Sequence, residues 1–186
     1  KAVANACANR GIPIRIGVNG GSLEKPLLAK YGKVCPEALV ESAFGHIALL
    51  NKYDFDDICV SLKSSNVSIA MEAYRMMHER SHYPLHLGVT EAGTYTMGTI
   101  KSAIGIGGLL AQGVGDTFRV TLTADPADEI VVAKQILKAI GLRKDGPELI
   151  ACPTCGRTRI DLIPLAQEVE KRLEGCTKPI TVAVMG

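Results

Sequence analysis

The chain has 186 residues and a formal net charge of only +2, with 21 basic and 19 acidic residues spread along its length. That balance argues against a nucleic-acid or polyanion surface. No apolar run reaches membrane-spanning length, and six irregularly placed cysteines fit a reducing compartment better than a disulfide framework. The length suffices for one domain with a sizeable core and part of another. The chain begins at a lysine and stops after the apolar run 180–185, so both ends are read as cuts through continuing structure, with no signal peptide visible.

Apolar, strand-like runs fall at 12–18, 58–62, 85–89, 117–122, 149–151 and 180–185. Helical periodicity falls between them, at 36–52, 67–80, 99–112, 126–140 and 161–173, and a short helix at 23–30 follows the first run. Strand-then-helix units at this spacing predict parallel strands with crossover helices. The first four units make half of an eight-stranded, TIM-type (β/α) barrel, with an open doubly wound sheet as the alternative. The charged segment 141–147, punctuated by glycine and proline, reads as a boundary. The expected domains are therefore a barrel half over 1–143 and the start of a smaller α/β domain over 144–186.

Chemistry in either parallel architecture sits at the carboxyl ends of the strands. The first strand brings Arg15 and then Asn19-Gly20-Gly21-Ser22, and the second brings Lys63-Ser64-Ser65. The third brings His86 and then Thr90-Glu91, and the fourth brings Arg119, Thr121 and Asp125. Three cations converging on one rim beside small hydroxyls and glycines describe an anion pocket. The competing reading pairs each cation with a carboxylate inside the barrel, makes Glu91 a structural counter-ion, and leaves Thr90 and Asn19 to fix turns. Lys63 also fits a Schiff-base lysine in a class I aldolase-like barrel.

Other residues have plainer expectations. Gly105-Ile106-Gly107-Gly108 lies inside a helical pattern and reads as close helix packing rather than a dinucleotide loop. His46, His78 and His82 read as structural or exposed, His86 as a satisfied core histidine, and Cys7, Cys35 and Cys59 as buried free thiols.

The segment Cys152-Pro153-Thr154-Cys155-Gly156 follows the strand at 149–151. Two thiols at this spacing suit an iron–sulfur cluster, a zinc ion, or a redox dithiol. A cluster needs further donors. Cys176 precedes the last strand and so lies at the opposite end from Cys152. If that strand runs parallel, its carboxyl end returns to the thiols, and a third ligand is expected just beyond Gly186.

Several long, ordered motifs together resemble the GcpE family. They are 12–19 with 21–25, 85–93, 101–105, 116–120, 124–126 and 151–155. The resemblance implies hydroxymethylbutenyl diphosphate synthases of the methylerythritol phosphate route to isoprenoids. It implies a TIM-type barrel, then a smaller α/β domain carrying a [4Fe–4S] cluster, with this chain holding the second half of the barrel and the start of the cluster domain. The substrate would be methylerythritol cyclodiphosphate, opened and dehydroxylated with two electrons from flavodoxin or ferredoxin. By the same resemblance, Cys152 and Cys155 match two of three cysteine ligands, and the third cysteine and a glutamate would follow Gly186. Arg15, Asn19, Lys63 and Arg119 match substrate- and diphosphate-binding positions. Thr121 stands where many relatives have serine and keeps the hydroxyl. Thr90 and Glu91 match residues near the reacting carbon, with Glu91 a proton handler. The family works as a homodimer in the bacterial cytoplasm or the plastid, with one subunit's cluster domain closing over the other's barrel, and no nucleic acid or membrane is involved. The different-class alternative is a zinc-stabilised phosphate-binding barrel without redox activity, and this chain alone is expected to be inactive.

Overall fold

The computed structural model describes residues 1–186. The chain divides into two compact units, Lys1–Ile136 and Leu137–Gly186. No helix is long and apolar enough to cross a membrane.

The first unit repeats strand and helix. Strand β1 (Ile14–Asn19) leads through a tight turn to helices α2 (Lys25–Tyr31) and α3 (Pro36–Asn51). Strand β2 (Ile58–Lys63) leads to α4 (Val67–Arg80), and β3 (His86–Gly88) leads to α5 (Tyr95–Ser102). Strand β4 (Thr117–Arg119) leads to α7 (Pro126–Ala139), and a short α1 (Ala2–Ala8) precedes β1. Local chemistry sets the helix ends. Proline opens α2 and α3 in their first turns, and Gly32 closes α2 in the left-handed region. The Asn66 side chain accepts from the Ile69 N–H to cap α4.

Strands β1 and β2 pair in parallel from Ile14–Ile58 to Asn19–Lys63, and β3 and β4 pair in parallel from His86–Thr117 to Gly88–Arg119. Burial alternates along β1. Ile16 and Val18 of β1, with Val60 and Leu62 of β2, pack under Leu39, Val40 and Ala43 of α3 and Ala73 and Met77 of α4. Each such aliphatic side chain contributes about 1.5–3 kcal/mol of burial. The alternate positions carry polar residues and glycine on the other face. This is the parallel, helix-backed arrangement of a TIM-type barrel, as the periodicity predicts.

Three details differ from the sequence expectation. The strands are shorter: β3 spans three residues instead of 85–89, and β4 three instead of 117–122. Both end where their mutual ladder ends, at Gly88–Arg119. The helix expected over 99–112 begins at Tyr95 and breaks into a π-turn, Ala103–Gly107, before a last short turn α6 (Gly108–Leu110). The cause is close approach, as the glycine pattern suggested: a Cβ on Gly105 would lie 2.7 Å from Val89 Cγ2 and 3.2 Å from Val67 Cγ1. Finally, the ladder is interrupted between β2 and β3, which share a single bridge, Val60–Leu85.

Tyr74 of α4 fills that interruption. Its buried hydroxyl donates to the His86 carbonyl at 2.8 Å and accepts from the Leu62 N–H at 3.1 Å, with Ser61 Oγ at 3.4 Å. Two backbone groups that the sheet leaves unpaired are thus satisfied by one phenol. Burial pushes its pKa up to about 12, so it remains a donor.

In the second unit, β5 (Glu148–Ala151) pairs in parallel with β6 (Thr181–Val184), and α8 (Leu162–Leu173) connects them. Leu162 and Val184 are its buried apolar residues.

Tyr74→Phe is expected to lower stability by about 1–3 kcal/mol, because it leaves a buried N–H and C=O without partners. Urea unfolding of the full-length protein measures this, and an unchanged midpoint would remove the bridging role.

Candidate functional site

Ladder register arranges the inward face of the first unit in tiers. Asn19 lies opposite Lys63, and Gly88 opposite Arg119. The Val60–Leu85 bridge sets Lys63 level with Gly88. One tier therefore reads Asn19, Lys63, Gly88, Arg119. The tier below reads Gly17, Ser61, His86, Thr117, and below that Arg15 lies opposite Cys59. Gly88 contributes no side chain, and Lys63 occupies the vacated space: a Cβ on Gly88 would meet Lys63 Cε at 3.2 Å and Nζ at 3.7 Å.

Arg15 and Lys63 make no ion pair within 4.0 Å. For Arg119 the pairing reading holds in part, since its Nε lies 3.4 Å from Glu129 Oε2 on α7 while the residue stays 62% exposed. Glu129 also accepts from the Leu122 N–H at 3.0 Å. Burial and the neighbouring cations together lower the basicity of two groups here. Lys63 is held below the usual lysine range by burial, then by Arg15 and Arg119. His86 is pushed down to about 4 by burial and by Arg15, Lys63 and Arg119.

His86 departs from the satisfied core histidine expected of it. The residue is 8% exposed and its Nδ1 lies 2.9 Å from Thr117 Oγ1, but Nε2 is buried with no partner. A histidine on a short apolar strand gives no sequence sign of this. The same holds for Glu129, which reads as an ordinary first-turn acid of α7.

Asn19, Thr90 and Glu91 meet in a pocket of about 270 Å³ at the carboxyl ends of β1, β2 and β3, with Gly21, Ser64 and Ser65. Asn19 Oδ1 accepts from the Gly21 N–H at 3.0 Å and folds the turn. Glu91 adopts φ 51°, the left-handed region, unusual for glutamate. A Cβ on Gly21 would lie 3.7 Å from Glu91 Oε1, so the carboxylate sits against the glycine turn. Thr121, half-buried beyond the end of β4, lines neither this pocket nor the ladder tiers.

In the second unit, the parallel order returns β6 to the thiol loop, as expected. The Cys152 N–H donates to the Val184 carbonyl at 3.0 Å, and a Cβ on Gly186 would lie 2.9 Å from Thr158 Cγ2. Cys176 lies at the other end, where a Cβ on Gly146 would approach its carbonyl at 2.9 Å. Cys155 is exposed, its N–H donates to Thr158 Oγ1 at 3.1 Å, and the Thr158 hydroxyl lies 3.9 Å from its Sγ. Hydrogen bonds from the Arg157 N–H and then Thr158 hold its thiol below the usual range. No three His, Cys, Asp or Glu side chains converge into a metal site. The chain therefore offers two thiol donors, one of them with its pKa lowered, which fit part of a cluster's ligand set. Cys7, Cys35 and Cys59 are half-buried rather than buried.

A cavity of about 600 Å³ also lies in the second unit, lined by Lys138, Arg143, Asp145, Glu148 and Ile180 among others. Two of its cations pair with Asp145, at 2.5 Å from Arg143 Nη2 and 3.8 Å from Lys138 Nζ, and neither Cys152 nor Cys155 lines it.

Comparison with known proteins matches residues 1–134 to the GcpE TIM-barrel domain and residues 148–186 to the GcpE protein C-terminal domain. Among curated relatives, the 4-hydroxy-3-methylbut-2-en-1-yl diphosphate synthase (flavodoxin) of Clostridium perfringens is 62% identical over 186 residues, covering all of this chain and 53% of the relative. The protein of the same name from Caldanaerobacter subterraneus is 60% identical, covering 100% and 52%. That from Geobacter sulfurreducens is 57% identical over 184 residues, covering 99% and 52%. The chain spans about half the length of the curated relatives it matches.

In cluster-free, reduced protein, Cys155 is expected to react with iodoacetamide at pH 7 roughly three- to tenfold faster than Cys59, whose thiol burial pushes up. Labelling of Cys155 sets in at lower pH than for an ordinary thiol, and Thr158→Val moves that onset upward. Mass-spectrometric labelling rates would show otherwise if Cys59 keeps pace.

Proposed function

Since the chain belongs to the GcpE family, we propose that the protein carrying it is a 4-hydroxy-3-methylbut-2-en-1-yl diphosphate synthase. It converts 2-C-methyl-D-erythritol 2,4-cyclodiphosphate to the linear allylic diphosphate by two-electron reductive ring opening. The observation that carries the reading is the cluster of Arg15, Lys63 and Arg119 at the ends of parallel strands, two of them without any carboxylate. Such a cluster is costly when empty and suited to several phosphate oxygens at once.

The residues divide the work. Arg15 and Arg119 offer planar forks to phosphate oxygens, and Lys63 a point charge between them. Asn19 and Thr121 add neutral hydrogen bonds, and the turn at Gly20-Gly21 lets backbone approach the ligand. Departure of the substrate hydroxyl as water consumes a proton. Glu91, exposed and fixed beside Gly21, is assigned to deliver it, with Thr90 orienting the same carbon. Cys152 and Cys155 would hold a [4Fe–4S] cluster together with ligands from the rest of the protein. When bound, that cluster supplies the electrons and a Lewis-acidic iron. The reading includes flavodoxin as electron donor, with ferredoxin as the other candidate, a homodimer, and a bacterial cytoplasmic setting.

The test is anaerobic reconstitution of the full-length protein. A brown cluster and reduction of the cyclodiphosphate are expected, with Cys152→Ser abolishing both. Arg15→Gln and Lys63→Gln should each lower kcat/KM by about 10²-fold or more. Glu91→Gln should lower kcat by roughly 10²–10⁴-fold with KM little changed. A colourless zinc protein without turnover would refute the reading.

A further inference from the structure

One group in the cationic tiers is left over. His86 Nε2 is buried without a partner, although the imidazole belongs to a residue only 8% exposed. A buried polar atom without a partner is costly in an apolar site and uncommon in native structures. Its surroundings are not apolar. Lys63 lies across Gly88, one tier above. Arg15 comes from β1, and Arg119 from β4.

The tautomer follows from the same surroundings. His86 Nδ1 shares a hydrogen bond with Thr117 Oγ1 at 2.9 Å. If Nδ1 carries the proton and donates, Nε2 keeps its lone pair in the field of the three cations, which is favourable. The other tautomer would point an N–H dipole at them. So the empty site holds a neutral imidazole with a bare, basic nitrogen, protonation of which would add a fourth like charge.

We infer that His86 is a conditional fourth cation of this cluster: it stays neutral while the site is empty and takes a proton from solvent at Nε2 when a phosphate-bearing anion occupies the rim. The inference rests on the reading that Arg15, Lys63 and Arg119 bind an anion. An anion of two or more charges cancels the field of the three cations at the imidazole, which is the part of the suppression that a ligand can remove. By linkage, whatever raises the proton affinity of His86 on binding is returned as anion affinity when His86 is protonated.

The other titratable groups around His86 do not provide a competing proton site. Cys59, in the tier below, is a thiol pushed up by burial and stays neutral. The Tyr74 hydroxyl is committed to the His86 carbonyl, and Asp116 Oδ2 accepts from the Leu85 N–H at 2.8 Å. The sign is fixed. His86 has the higher pKa in the bound state, so its contribution to binding is fully present below the free-state value. It is lost as pH rises through the bound-state value.

Inorganic diphosphate binding to the full-length protein, measured by calorimetry for wild type and His86→Asn between pH 5.5 and 9, tests this. Asparagine keeps a hydrogen-bonding group within reach of Thr117. The ratio of Kd values, variant over wild type, is expected to be near one at pH 9. It should rise several-fold as pH falls to 5.5, with a ceiling of roughly tenfold set by an ordinary imidazole near 6.5, because burial keeps part of the suppression. In wild type alone, titration in buffers of different ionisation heat should show about one proton taken up per diphosphate at pH 5.5, beyond the probe's own protonation. A ratio that is constant across pH means a merely structural role, and overturns the inference while leaving the anion site standing. So does wild-type binding without proton uptake. No diphosphate binding by wild type would refute the anion site and this inference with it.

Discussion

Arg15, Lys63 and Arg119 repel one another, and the fold must hold them on one surface with a carboxylate beside only one of them, Glu129 beside Arg119. The free energy for this comes from the opposite face of the same strands. Ile16, Val18, Val60 and Leu62 are buried under α3 and α4, and period-two alternation fixes the polar set once the apolar set is buried. A one-residue slip would bury the cations and expose the aliphatics, so the hydrophobic core specifies the charge cluster as well as the stability. Burial first, and then the neighbouring cations, depress the basicity of Lys63 and His86.

Space is the second constraint, and it is met mostly by what is missing. Gly88 has no side chain, so Lys63 can lie across β3 instead of extending into solvent. Tyr74 takes the place of ladder hydrogen bonds between β2 and β3, so the two strands can spread apart while Leu62 and His86 keep their partners. The π-turn at Ala103–Gly107 brings Gly105 against Val89, directly ahead of Thr90 and Glu91. Glutamate in the left-handed region is then held by packing on both sides of the turn. A glycine there would relieve the backbone but lose the carboxylate.

The sequence made the alternation of strand and helix legible, and with it the convergence of strand-end residues, because both follow from periodicity and from the carboxyl-end rule of parallel sheets. Asn19, Thr90 and Glu91 meet as strand ends should. Other features depend on tertiary geometry that no local pattern encodes. The unpartnered nitrogen of His86 depends on which neighbours surround it, and the Glu129 contact to Arg119 on where α7 begins. The break between β2 and β3 leaves no trace in two ordinary apolar runs. It becomes visible only when the Tyr74 hydroxyl is found between them. The π-turn was half legible, since clustered glycines signal close approach but not an extra residue per turn.

The thiol loop reaches a poised state by different physics. In the first unit, charge and burial shift the basicity of Lys63 and His86. Around the exposed Cys155, neither burial nor a dominant counter-charge is available, and directed hydrogen bonds from the Arg157 N–H and Thr158 favour thiolate instead. Such stabilisation survives in water and in salt better than a surface charge pair would. It also requires a fixed loop, which the Cys152 N–H to Val184 hydrogen bond supplies by tying the loop to the end of β6. The parallel pairing of β5 and β6 thus does for sulfur what the parallel strands of the first unit do for the cations. It fixes the chemistry at a carboxyl edge, although here the donors to sulfur are the loop's own Arg157 and Thr158 and only the anchor at Val184 is distant in sequence.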